Sequence, residues 1–225
     1  MQIQIRHAPV FAVATVTLAP GESVRGEAGA MMTMANVDIE TKAEGGFLKS
    51  LVRSAVGGES FFTNTFTAGP EGGVVQFVTS LPGDILDINL DGTMFVQSGS
   101  YLASAPQVQV DASWGGAKTF FAGEGLVLLN CRGTGELIVS SYGAIDQYQL
   151  EPGQRLSVDT GHVVAFEDTV QFATRRVGGL KSTLLSGEGL VVDLTGPGIV
   201  LLQTRSMSAL EMWVRSVVPT QTSTS

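Results

Sequence analysis

The chain has a single cysteine, Cys131, among 225 residues. One thiol cannot close an internal disulfide, which suits a reducing compartment, and it excludes a zinc site built from several cysteines. Histidine is nearly as scarce, with only His7 and His162. Charged residues make up 15% of the chain, against about 25% in an ordinary soluble domain. Lysine and arginine total 13 against 21 acids, a formal net charge of −8. Nucleic-acid affinity rests on cations that neutralise phosphates. Here the basic residues stand singly apart from Arg175-Arg176, so neither a nucleic-acid partner nor a polybasic membrane patch is expected. No apolar run approaches the roughly 18 residues of a membrane span. The opening MQIQIRH alternates polar and apolar residues, without the apolar centre of a signal peptide. Together these absences predict a cytoplasmic protein with no integral membrane segment.

Glycine, by contrast, is abundant at 28 residues. The glycines fall between short apolar runs, so they read as turns. FAVATVTL at 11–18, VVQFVT at 74–79 and LIVSSY at 137–142 are rich in β-branched and aromatic residues and bounded by turn formers. Such runs recur along the chain with few helical patterns between them, which predicts an all-β sandwich or barrel rather than βαβ units. Two helices interrupt the pattern. GFLKSLVRSAV at 46–56 keeps its apolar residues on one helical face. SALEMWVRSVV at 208–218 opens with Ser208 and Glu211 at capping-box spacing and stops at Pro219. The polar tail at 220–225 is expected to be disordered.

An internal repeat organises the rest. Gly-Glu pairs place glutamates at Glu59, Glu124 and Glu188, and Pro-Gly turns interleave with them at APGESV (19–24), LPGDIL (81–86) and EPGQRL (151–156). Proline presets φ at the second position of a type II turn and glycine supplies the positive φ of the third. The Gly-rich segments AGPEGG (68–73), RGTG (132–135) and TGPG (195–198) read as tight hairpin turns. These spacings predict three β-rich pseudo-repeats, roughly 10–70, 71–135 and 136–205, packed in one domain over 1–219.

The segments GGESFF (57–62), LPGD (81–84), GSYLA (99–103), SGEGL (186–190), GPG (196–198) and QTR (203–205) resemble the mitochondrial biogenesis, or "altered inheritance of mitochondria", family. The resemblance runs from about Pro20 to Arg205. It implies a double-stranded β-helix, or β-sandwich-like barrel, similar to the fold of the tryptophan RNA-binding attenuation protein. It further implies that eukaryotic members are mitochondrial inner-membrane proteins linked to cristae organisation. With no transit peptide, this chain looks like a prokaryotic, cytosolic member. Fold likeness does not transfer RNA binding, and the acidic charge argues against it.

Proteins with double-stranded β-helices often hold a metal, yet such a site needs two or three histidines and a carboxylate brought together. His162 and Asp159 share the loop DTGH, but His7 lies far away in the sequence, and a turn histidine is the favoured reading. Cys131 precedes Arg132, a neighbour that can lower a thiol pKa, but it fits equally well as a small core residue. No Gly-rich segment has the Lys and Ser/Thr of a phosphate loop. The Met-dense MMTM at 31–34 is expected in the core. The remaining candidate is the trio Glu59, Glu124 and Glu188, which the pseudo-symmetry can bring together as an acid–base or cation cluster; the favoured alternative is that each glutamate begins a strand and is paired locally. No catalytic, cofactor or metal residue is assigned. The expectation is a non-enzymatic binding or scaffold protein that forms a homo-oligomer, the alternative being a small-molecule binder or enzyme that uses the β-helix interior.

Overall fold

A computed structural model describes residues 1–40, 63–111, 127–176 and 190–218. The first third contains β1 (Gln2–Arg6), β2 (Val13–Leu18), β3 (Ser23–Glu27), β4 (Met31–Ala35), β5 (Val37–Glu40), β6 (Thr63–Ala68) and β7 (Gly73–Val78). In β2, Ala14, Val16 and Leu18 are buried while Val13, Thr15 and Thr17 face outward. That period of two is what puts a strand with one wet face on a core. β7 supplies the facing residues: Ala14 lies opposite Phe77 and Val16 opposite Val75. The sheet order is β1-β2-β7-β4.

The middle third contributes β8 (Ile85–Gln97), a 3-10 turn at Ser98–Ser100, β9 (Tyr101–Ser104), β10 (Gln109–Asp111) and β11 (Leu128–Ser140). β8 and β11 pair antiparallel along their whole length, from Leu128 opposite Gln97 to Ser140 opposite Ile85. RGTG at 132–135 is therefore not a hairpin turn. It lies inside β11, where Gly133 and Gly135 have φ of 129° and 137° and Gly133 faces Gly92 across the ladder. The glycines let a long strand flex without ending it.

The last third holds β12 (Ile145–Leu150), β13 (Arg155–Asp159), a second 3-10 turn at Thr160–His162, β14 (Val163–Glu167), β15 (Gln171–Arg176), β16 (Leu190–Thr195) and β17 (Gly198–Gln203). A ten-stranded sheet runs β12-β17-β14-β8-β11-β9-β3-β6-β5, with β10 paired to β11, and a three-stranded sheet runs β13-β16-β15. TGPG at 195–198 links β16 to β17, which lie in different sheets, so it is a crossing between sheets and not a hairpin. AGPEGG likewise links β6 to β7, which lie in different sheets, although an isolated Gly69–Gly72 bridge closes a tight turn within it.

The Pro-Gly turns divide in the same way. At APGE and EPGQ, Gly21 and Gly153 have φ of 71° and 78°. The fourth residue donates its backbone N–H to the first, Glu22 to Ala19 and Gln154 to Glu151, both at 2.9 Å. Each fourth side chain also returns the bond, Glu22 Oε2 accepting from the Ala19 N–H at 2.8 Å and Gln154 Oε1 from the Glu151 N–H at 2.9 Å. LPGD departs from this. Gly83 forms parallel bridges to Phe11 and Gly143, and a β-carbon there would lie 1.7 Å from the Ser141 carbonyl oxygen. Its glycine answers to a close backbone approach rather than to a type II turn.

The described residues form three apolar cores. The first gathers Val16, Phe66 and Phe77 with Ile85, Leu102, Ala103 and Ile138 from the middle third. The second gathers Tyr101, Leu129, Cys131 and Leu137 with Val164, Ala165 and Leu201 from the last. The third gathers Phe166, Val192 and Leu194 with Phe95 and Leu128 from the middle.

One helix, α1 (Met207–Val217), follows. Its cap is Ser206, whose hydroxyl accepts from the Ala209 N–H at 3.4 Å, and not Ser208. The helix thus begins two residues earlier than the capping-box spacing suggests, because Ser206 is the residue in extended backbone. The predicted helix at 46–56 and the tail at 220–225 fall outside the described residues.

Candidate functional site

Glu59, Glu124 and Glu188, the one cluster raised by the sequence, also lie outside the described residues. The other candidates are structural. Cys131 on β11 faces Met94 on β8 and is fully buried. Burial pushes its thiol up to about 12, so it stays protonated at neutral pH and is not a nucleophile. His162 closes its turn against β17: Nδ1 lies 2.7 Å from the Gln203 carbonyl oxygen, while the Gln203 side-chain amide donates to the Gly161 carbonyl at 2.8 Å. Asp159 Oδ1 accepts from the Gly161 N–H at 2.8 Å. Neither side chain is turned toward a shared ligand. Among the described residues no group of three or more His, Cys, Asp or Glu is arranged to hold a metal ion.

The buried polar residues described are serines and one threonine. Tyr101 is sealed in with its hydroxyl 2.8 Å from Ser104 Oγ, and burial raises its pKa well above the usual phenol range. Asp87 on β8 lies near Glu136 on β11, where lost hydration and then Glu136 raise the Asp87 carboxyl.

What remains is surface, and the surface has an irregularity. β9 is paired on both sides, to β11 and β3, and so is β14, to β17 and β8. Among the described residues β4 is paired to β7 alone. All three strands carry the same register shift against their own partner: between Met31 and Thr33 in β4, between Tyr101 and Ala103 in β9, and between Val163 and Ala165 in β14. Leu102 and Val164, inside those shifts, are 1% and 0% exposed, while Met32 is 46% exposed. Met31 packs against the first core, and residues 32–34, expected in the core, instead form an open edge among the described residues. The sequence carried no signal of this, because the buried strands YLAS and VVAF lack apolar–polar alternation just as MMTMA does. A second open apolar surface is α1, none of whose residues is buried and which exposes Met212, Trp213 and Val217.

The fold and surface define an all-β protein of joined antiparallel sheets, with apolar cores and its irregular features at strand edges. Among the described residues no helix is long and apolar enough to cross a membrane. The chain belongs to the mitochondrial biogenesis AIM24 family, whose model matches residues 3–205. It is 26% identical over 231 residues to an uncharacterized protein of Streptococcus pyogenes serotype M6, a match covering 98% of this chain and 92% of the relative. The crystal structure of a Streptococcus pyogenes protein has the same fold, with a TM-score of 0.79 at 24% identity over 96% of this chain and 99% of that one.

Proposed function

We propose that the protein is a non-enzymatic binding or scaffold protein that self-assembles, built of three tandem β units in one domain over 1–219. The observation that carries this reading is a sheet edge as apolar as Met31–Ala35 left open on a chain whose described cores are closed and apolar. Chemistry that faces outward suits contact with another macromolecule, since large exposed apolar surface is uncommon on monomers.

The pairing scheme supports the tandem units. β2, β8 and β12 each pair with the last strand of their third, namely β7, β11 and β17. On the far side of those last strands lie β4, β9 and β14. The second strands follow suit: β3 with β6, the second half of β8 with β11, and β13 with β16, flanked by β5, β10 and β15. Units of this kind fit the double-stranded β-helix likeness to the attenuation protein. The cores shared between thirds favour one domain over three. A cytoplasmic location and the lack of a nucleic-acid partner belong to the same reading, on the strength of the single cysteine and the net charge of −8.

Size-exclusion chromatography with light scattering tests it. The expected mass is a multiple of 23.6 kDa, with any native partner co-eluting. A monomer across micromolar concentrations, with a small metabolite retained, overturns it.

A further inference from the structure

The geometry points to a specific contact between copies: β4 of one chain pairs antiparallel with β13 of the next, so that chains join head to tail. This deepens the self-assembly reading and rests on it.

The chain itself contains the template. Its thirds are joined by two short antiparallel ladders of one kind. In one, Gly26 of β3 faces Ala103 of β9 and Arg25 faces Ser104; in the other, Val96 of β8 faces Ala165 of β14 and Phe95 faces Phe166. Each ladder joins the second strand of one third to the third strand of the following one. A continuing series joins β13, the second strand of the last third, to β4, the third strand of the first. Those two strands are the edges of separate sheets, and among the described residues neither has a second neighbour.

The register follows from equivalent positions. Ala103 and Ala165 are the residues just after the register shift, and Thr33 holds that place in β4. Val96 stands two residues before the 3-10 turn Ser98–Ser100, as Val158 stands two before Thr160–His162. Thr33 therefore faces Val158, Met34 faces Ser157 and Ala35 faces Leu156. In the internal ladder the pair at the Met34–Ser157 place is Phe166–Phe95, whose ring centroids are 5.5 Å apart, so side chains there meet.

Exposure agrees. Ser104 and Phe166 are both 0% exposed and Met34 is 44% exposed. On β13, Arg155 and Ser157 are exposed. Natural edge strands are guarded by lysine, proline or inward charge, and Met31–Ala35 has none of these. Its bulge is no guard, because β9 and β14 carry the same one and still take a second neighbour. A contact of this heterologous kind closes into a ring or extends as a filament, according to the rotation between copies.

Disulfide trapping tests the register. Opposed residues in an antiparallel pair have Cα atoms about 4.5–5.5 Å apart, within the range a disulfide spans. Full-length Met34→Cys and Ser157→Cys chains are mixed under mild oxidation; Cys131 is buried and stays out of the reaction. The expected result is a disulfide-linked dimer in the mixture, stable in denaturant and released by reductant, and a ladder from the double variant, with Met34→Cys mixed with Arg155→Cys far weaker. In parallel, Met34→Lys, at an exposed edge position, should keep the circular dichroism of the parent and weaken assembly by on the order of tenfold or more. A double variant that forms only an intramolecular disulfide overturns the proposal, since the edge then closes on its own chain. An assembled protein that neither cross-links nor responds to Met34→Lys overturns this contact and leaves self-assembly standing. A wild-type chain that is monomeric throughout overturns both.

Discussion

Three strands of this protein hold the same place against their partners and have opposite fates. YLAS at 101–104 and VVAF at 163–166 are fully buried, whereas MMTM at 31–34 lies at the surface. All three share one register shift against the neighbouring strand. Composition does not separate them, since methionine is no more polar than leucine or valine in effect on a core. The difference is the second neighbour. β9 receives β3, with the Arg25 guanidinium donating to the carbonyls of Pro106 and, at 2.9 Å, Val108. β14 receives β8, with Phe95 closing over Phe166 and Phe172. β4 receives no second strand among the described residues. Burial in a sheet of this kind is set by edge pairing as much as by the side chains on the strand.

The comparison can be broken most severely at the aromatic junction. Phe166→Ala removes a fully buried ring that packs between Phe95 and Phe172, and should cost about 3–5 kcal/mol in chemical denaturation. A loss below about 1 kcal/mol would show that the junction is not packed as described. Gly83→Ala comes next. Its new β-carbon meets the Ser141 carbonyl, so the row of backbone bridges through Phe11, Gly83 and Gly143 must shift, at about 1–3 kcal/mol. Thermal melting reads this directly, and a neutral result would mean that the row is loose. The smallest effect belongs to the open edge. Met32→Ala, the counterpart of buried Leu102 and Val164, should change monomer stability by no more than about 0.5 kcal/mol. A core-sized loss, measured where the protein is monomeric, would mean that β4 is covered after all.

Much of the fold was legible. The alternation in VATVTL and the apolar face of GVVQFV follow from period-two patterning, and both strands stand within two residues of their expected limits. Two of the three Pro-Gly turns were legible as well, because Pro20-Gly21 and Pro152-Gly153 demand only local backbone geometry. Gly83 was not, since its need for a missing side chain comes from Ser141, far along the chain. RGTG misled for the same reason: a positive φ at Gly133 serves a turn in isolation and serves a flexed strand when Gly92 lies opposite. Cys131 could be a core residue or a thiolate until Met94 and Leu129 surrounded it. Ser206, rather than Ser208, caps the helix because the chain leaves β17 in an extended conformation up to that residue.

By itself the sequence determined the all-β class, which rests on local periodicity and turn chemistry, and the family, which rests on the resemblance of its glycine-bearing motifs. Only the tertiary structure decided which strand edges meet. Backbone N–H and C=O groups carry no side-chain signature of the neighbour they will pair with. Met31–Ala35 and Tyr101–Ser104 therefore read alike as strands, and the ladder to β3 makes the second a core and leaves the first an open edge.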